Sequence, residues 1–122
     1  MRTLVHPERD QLQLTTILAA LSDPIRLRLI RELALAGEMP CGEFASPVAK
    51  STMSHHVRTL REAGVLRVRL QGTQRRLSLR SEDLDARFPG LLSAVLQADA
   101  SVEDSARSIE PEPREGEEGG MA

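Results

Sequence analysis

Between Arg9 and Leu21 the apolar residues Leu14, Ile17, Leu18 and Leu21 recur three or four positions apart, the spacing that lays one stripe along a helix. The stripe breaks at Ser22-Asp23-Pro24 and restarts beyond it. Asp23 is a natural N-cap, and Pro24 suits the first helical position, where a missing N–H costs nothing. A second helix is therefore expected from Pro24 to about Ala36, burying Ile25, Leu29, Ile30 and Leu33, with Gly37 as its left-handed stop. A short third helix is expected over Cys41–Ser46, with Phe44 and Ala45 facing inward and Pro47 ending it. The fourth begins within Ala49–Ser51 and ends at Ala63 under a Gly64 cap. Its inward stripe is Met53, Val57 and Leu60, while Ser51, Ser54, His55, Arg58 and Arg61 populate its outer faces.

After Gly64 the period drops to two: Leu66, Val68 and Leu70 alternate with Arg67 and Arg69, and Leu77 and Leu79 resume the alternation after Gln71-Gly72-Thr73-Gln74. That pattern is a β-hairpin with arginines on its solvent face and returning arm. A last helix is expected from Pro89, at its first position, to about Ala100, apolar at Leu91, Leu92, Val95 and Leu96. The whole is mainly α with a small β-hairpin wing, a winged helix-turn-helix layout. Its first and last helices carry more apolar surface than so small a domain covers internally. Pairing with a second copy through those helices would bury it, so a homodimer with two-fold-related recognition elements is expected.

Charge changes the picture most. Eight of the sixteen basic residues, Lys50, Arg58, Arg61, Arg67, Arg69, Arg75, Arg76 and Arg80, share one stretch with a single acid, Glu62, giving it +7 while the chain as a whole carries −2. A polyphosphate surface calls for such a concentration, because each neutralised phosphate releases a condensed counterion. From Ser101 onward seven acids face only Arg107 and Arg114, amid Pro111, Pro113 and paired glycines. Low hydrophobicity with that net charge reads as a disordered acidic tail over 101–122. The expected division is a flexible N-terminus over 1–8, a DNA-binding and dimerisation domain over 9–100, and the tail. With Phe44 and Phe88 as the only aromatics, the core must come from aliphatic residues and methionine. One cysteine, Cys41, fits a reducing cytoplasm, and neither a leader peptide nor a membrane span is apparent.

The fourth predicted helix would be about 20 Å long at 1.5 Å per residue, enough to lie across a major groove of double-stranded DNA. Ser51, Thr52, Ser54 and His55 place short hydrogen-bonding groups at its front, where base edges are met. Lys50 and Arg58 suit either a phosphate or a guanine. Arg69, Arg75 and Arg76 on the hairpin suit the flanking backbone or the minor groove. His55 and His56 point about 100° apart on a helix and so do not chelate one ion together. His55 is assigned to DNA, and His56 to partial burial or a phosphate.

Two segments, Ala20-Leu-Ser-Asp-Pro-Ile-Arg-Leu-Arg-Leu-Ile-Arg-Glu-Leu33 and Lys50-Ser-Thr-Met-Ser-His-His-Val-Arg-Thr-Leu-Arg-Glu-Ala-Gly-Val-Leu66, resemble the bacterial ArsR/SmtB-type transcriptional repressors. The likeness covers about residues 10–97. It implies a dimeric winged-helix repressor that binds an inverted-repeat operator and is released by an inducer, with Ser51, Thr52, Ser54, His55 and Arg58 at recognition-helix positions. Metal-sensing members commonly carry a Cys-x-Cys pair at the start of helix three, or Asp/His and His/Glu pairs on the last helix. Here the first segment reads Glu38-Met-Pro-Cys-Gly-Glu-Phe44 with one thiol, and the last helix has no histidine. No metal is expected at either place, no cofactor is assigned, and the inducer, an unidentified small molecule, is not named by the chain. Two alternatives stay open: a thiol- or redox-responsive repressor sensing through Cys41, whose place near a helix start would favour a thiolate, and a winged-helix protein-interaction module that binds no DNA. An enzyme is not expected, since no nucleophile, base and orienting acid can be assembled.

Overall fold

A computed structural model describes residues 4–44 and 48–109 of the chain. Five α-helices, α1 (Leu14–Ala20), α2 (Pro24–Ala36), α3 (Lys50–Ala63), α4 (Ser81–Arg87) and α5 (Leu91–Ile109), are joined by strands β1 (Glu38–Pro40), β2 (Leu66–Gln71) and β3 (Gln74–Leu79). The chain falls into two compact units, residues 1–92 and 93–122. The first holds everything up to the start of α5; the described part of the second is the body of that helix.

Local chemistry accounts for α2 and α3. The Asp23 carboxylate accepts the backbone N–H groups of Ile25 at 2.8 Å and Arg26 at 3.1 Å, capping α2 with Pro24 in its first turn. Burial by itself would raise the Asp23 pKa, but the two amide donors win and hold it below the ordinary value. Leu29, Ile30 and Leu33 are buried, while Ile25 is only half-buried. On α3, Met53, Val57 and Leu60 go inward as the spacing predicts, joined by His56 and Ala63. Gly64 ends it at φ +90°, a conformation that costs glycine little.

β2 and β3 form the expected antiparallel hairpin, Leu66 opposite Leu79 and Gln71 opposite Gln74, with the Gly72-Thr73 turn between them. Leu66, Val68 and Leu77 are buried on its inner face. The three-residue β1 adds to the other side of β3, giving the order β1-β3-β2. No sequence period announces so short a strand; its register, Glu38 opposite Ser78 and Pro40 opposite Arg76, is set by the partner. Helix α4, likewise unforeseen, is seven residues long and buries Leu84.

Several boundaries move. The expected first helix is split: a 3-10 turn over Arg9–Gln11 precedes an extended Leu12, and only Leu14–Ala20 is α-helical. The break lets Leu12 reach the core at 1 % exposure, and rotates Leu14 and Leu18 outward to 44 % and 45 %. In place of the third helix a 3-10 turn spans Cys41–Glu43, with Phe44 buried behind it; Ala45 to Pro47 lie outside the described residues. Helix α5 starts at Leu91 rather than Pro89, because Gly90 takes a left-handed φ of +81° that interrupts the turn before it. It runs on to Ile109, so the segment read as a disordered tail from Ser101 is helical at its beginning, and residues 110–122 lie outside the described set.

The N-terminus also departs from expectation. Residues 4–8, read as flexible, are tied to the domain: the Val5 carbonyl accepts from Arg61 Nη1, the Pro7 carbonyl accepts from Arg80 Nη1 at 2.7 Å, and His6 Nε2 accepts the Val68 N–H at 3.0 Å. Met1 to Thr3 lie outside the described residues.

Candidate nucleic-acid interface

Helix α3 separates its polar and apolar residues cleanly. Lys50, Ser51, Thr52, Ser54, His55 and Arg58 are all exposed on one side, opposite the buried Met53, His56, Val57 and Leu60. His56 parts from its neighbour: its Nδ1 lies 3.0 Å from Arg26 Nη1 on α2. A guanidinium can only donate, so this ring nitrogen is the accepting partner of the contact. His56 is thus a packed histidine, and His55 is the one turned to solvent. Arg61, expected on an outer face, is half-buried and spends a donor on the Val5 carbonyl.

The sheet then sorts the three wing arginines, because successive strand residues point to opposite faces. Arg75 lies opposite Leu70, on the same face as the buried Leu77 and Val68, but at the tip where the core has ended. It therefore projects toward α3: Ser54, Arg58 and Arg75 line one open groove together with His6 and Arg61. Lys50, Ser54 and Arg75 line the adjoining hollow. Among the described residues Lys50, Arg58 and Arg75 have no ion pair.

Arg69 and Arg76 face each other across β2 and β3 on the opposite, outer face. Both are held by one carboxylate from β1. Glu38 accepts from Arg69 Nη2 at 2.9 Å and Nε at 3.2 Å, and from Arg76 Nε at 3.0 Å. The hydrogen bonds from Arg69 and Arg76 hold the Glu38 carboxyl below its ordinary pKa. The structure thus brings Arg75 to the exposed face of α3 and leaves Arg69 and Arg76 in a clasp of net +1. Sequence reasoning missed Glu38, which lies outside the basic stretch and reaches it only through β-strand register.

Other arginines of the stretch serve the scaffold. Arg80 is 5 % exposed and bonds Asp83 Oδ2 at 2.9 Å as well as the Pro7 carbonyl. Asp83 also takes Arg9 at 2.8 Å and Arg67 at 3.7 Å. Hydrogen bonds from Arg9 and Arg80 outweigh the opposing effect of burial and lower the Asp83 pKa.

Cys41 opens the three-residue turn beside α3 and is half-buried. Burial pushes its thiol pKa up, the Arg75 charge pulling weakly the other way. The expected dipole-stabilised thiolate is not favoured here, since one short turn aligns too few peptides to offset desolvation. Among the described residues no three His, Cys, Asp or Glu side chains converge as a metal site needs. No described helix is long and apolar enough to cross a membrane.

A helix-turn-helix domain family matches residues 21–69. The chain is 38 % identical over 89 residues to the uncharacterized HTH-type transcriptional regulator YceK of Bacillus subtilis (strain 168), an alignment spanning 70 % of this chain and 88 % of that protein. Its fold is similar to the crystal structure of an ArsR family transcriptional regulator at TM-score 0.52 and 20 % identity, over 87 % of this chain and 99 % of the other. It is also similar to the transcriptional repressor BigR from Xylella fastidiosa, at TM-score 0.50 and 28 % identity, over 61 % of this chain and 84 % of that one. These relatives are transcriptional regulators rather than enzymes. With a polar, cationic α3 presented beside a wing, the chain belongs to the HTH-type DNA-binding transcriptional regulators, in a winged fold similar to that of an ArsR family regulator.

Proposed function

We propose that the protein is a cytoplasmic homodimeric repressor that binds an inverted-repeat operator and is released by a small-molecule inducer. The observation that carries the DNA contact is the convergence of Lys50, Ser54, Arg58 and Arg75, drawn from two elements and without an ion pair among the described residues, around one open face. In this reading Ser51, Thr52, Ser54 and His55 meet base edges, while Lys50, Arg58 and Arg75 take phosphates. Arg69 and Arg76 reach the flanking backbone only by exchanging Glu38 for a phosphate. The exposed Leu14 and Leu18 supply the apolar surface that a second copy would cover. The repressor role rests on the family resemblance and on the repressor among the similar structures. The DNA-binding and dimerisation domain then spans about residues 9–100, with the strapped N-terminal residues packed against it.

The deciding experiment combines sedimentation with binding to a random-sequence duplex across a salt series. A dimer whose log affinity falls linearly with log salt is expected. A monomer indifferent to DNA at low salt would refute the proposal. The clasp adds a sharper expectation. Glu38→Gln removes a negative charge beside two arginines, so affinity for random duplex should rise about threefold at low salt and its salt dependence should steepen. An unchanged salt slope would mean that DNA never approaches the outer face of the wing.

A further inference from the structure

Leu4 to Leu12 run across the joint between α3 and the wing. At the centre of this strap the His6 ring accepts the Val68 N–H at 3.0 Å. β2 is an outer strand of the sheet, so this N–H points away from β3 and the imidazole supplies the acceptor the edge lacks. A neutral ring can accept at Nε2 only with its proton on Nδ1, so the bond selects one tautomer.

The surroundings penalise a second proton. Facing His6 are Arg61 from α3, Arg67 from β2 and Arg80 at the end of β3. The carboxylates nearby are already engaged: Asp83 of α4 with Arg9, Arg67 and Arg80, and Glu62 of α3 at 4.0 Å from Arg61. Glu8 on the strap itself is exposed. Burial first, then Arg61, Arg67 and Arg80, lower the His6 pKa, against a smaller upward pull from a hydrogen bond to the Leu4 backbone. The ring also lines the groove that holds Ser54, Arg58 and Arg75.

We propose that His6 is a positioning residue for DNA binding: its neutral ring ties the N-terminal strap to β2, sets the spacing between α3 and the wing, and lets go when protonated. The proposal rests on the DNA-binding reading above. Protonation would set an N–H on Nε2 against the N–H of Val68, two donors where one bond had been, and add a positive charge beside three guanidiniums. The flanking Val5 and Pro7 carbonyl bonds do not titrate, so the strap loosens at its middle while its ends stay attached. Because the tied state lowers the ring's pKa, the tie is complete above the ordinary value of 6.5 and is lost as pH falls from there toward the lower, tied-state value. This sign is opposite to that of a histidine whose ring meets a phosphate, where a second proton adds favourable charge.

The test compares wild type, His6→Gln and His6→Ala on random duplex at fixed low salt, from about pH 8 to about pH 5.5. Glutamine keeps an acceptor for Val68 and does not titrate. At the alkaline end wild type and His6→Gln should bind alike and His6→Ala about threefold to tenfold more weakly, the effect of one hydrogen bond. Toward acid, wild type should fall behind His6→Gln by a similar factor. A constant ratio of the two, or wild type gaining on His6→Gln because the ring meets phosphate directly, would overturn the proposal. A second readout needs no DNA: the Val68 amide resonance should shift with the His6 titration in wild type and stay still in His6→Gln. If no variant binds DNA yet Val68 titrates, the DNA reading has failed and the tie stands; if Val68 does not titrate, the tie itself is refuted.

Discussion

Gly64→Ala should destabilise the domain by about 2–6 kcal/mol and remove most DNA binding near its melting range. Gly64 holds φ +90°, which an L-residue enters only with strain. A Cβ there would collide with Leu12 Cδ2 and crowd Pro7 Cγ at 3.2 Å. Leu12 is fully buried and leaves little room to retreat. The two costs are separable. In the strained backbone alone the penalty is about 1–3 kcal/mol, and overpacking adds a similar amount. Leu12→Ala opens space, so the double variant should be less destabilised than the sum of the two singles, a coupling that urea denaturation of all four proteins would measure. The position matters for function because α3 turns into β2 there, so relaxing the joint moves the wing. If Gly64→Ala unfolds within about 0.5 kcal/mol of wild type, the close approach of strap and turn described above does not exist in solution.

Removing Arg58 and Arg75 together should reduce affinity for any duplex about 100-fold or more at low salt and flatten the salt dependence by several units of slope in a dimer. Both guanidiniums are exposed, on the same groove and, among the described residues, without an ion pair, so neither gives up a described carboxylate to bind phosphate. The matching pair Arg69→Ala/Arg76→Ala should lose only about threefold, because both side chains are already held by Glu38, whose carboxylate neutralises one of the two charges. Neither double variant removes buried contacts on α3, so thermal unfolding should change little. Ser54→Ala and His55→Ala should act differently again, altering the preference among operator variants more than the affinity for random duplex. Equal losses for the two arginine pairs would show that the clasp opens freely and that strand parity does not decide which wing residues meet DNA.

Much of this was legible locally. Asp23-Pro24, Gly37 and Gly64 punctuate helices through bonds spanning a few residues, and a stripe at helical spacing on α3 implies an opposite face for Lys50, Ser51, Thr52, Ser54, His55 and Arg58 whatever packs beneath. The period-two hairpin is equally local, since its strands are joined by a two-residue turn. Leu14 and Leu18 mark the limit of such reasoning: a stripe says which residues could be buried, and the chain broke at Leu12 to bury a different set.

By itself, then, the order of residues determined the winged architecture and the polar face of α3, because helix caps, tight turns and amphipathic periods are satisfied by near neighbours. Only the tertiary structure decided which arginines remain available. Glu38 meets Arg69 from 31 residues away, Asp83 meets Arg9 from 74, and the Pro7 carbonyl meets Arg80 from 73. Charge counted along a stretch cannot foresee such partners, because Coulombic and hydrogen-bonding energies depend on distance in space and on which strand face a side chain takes.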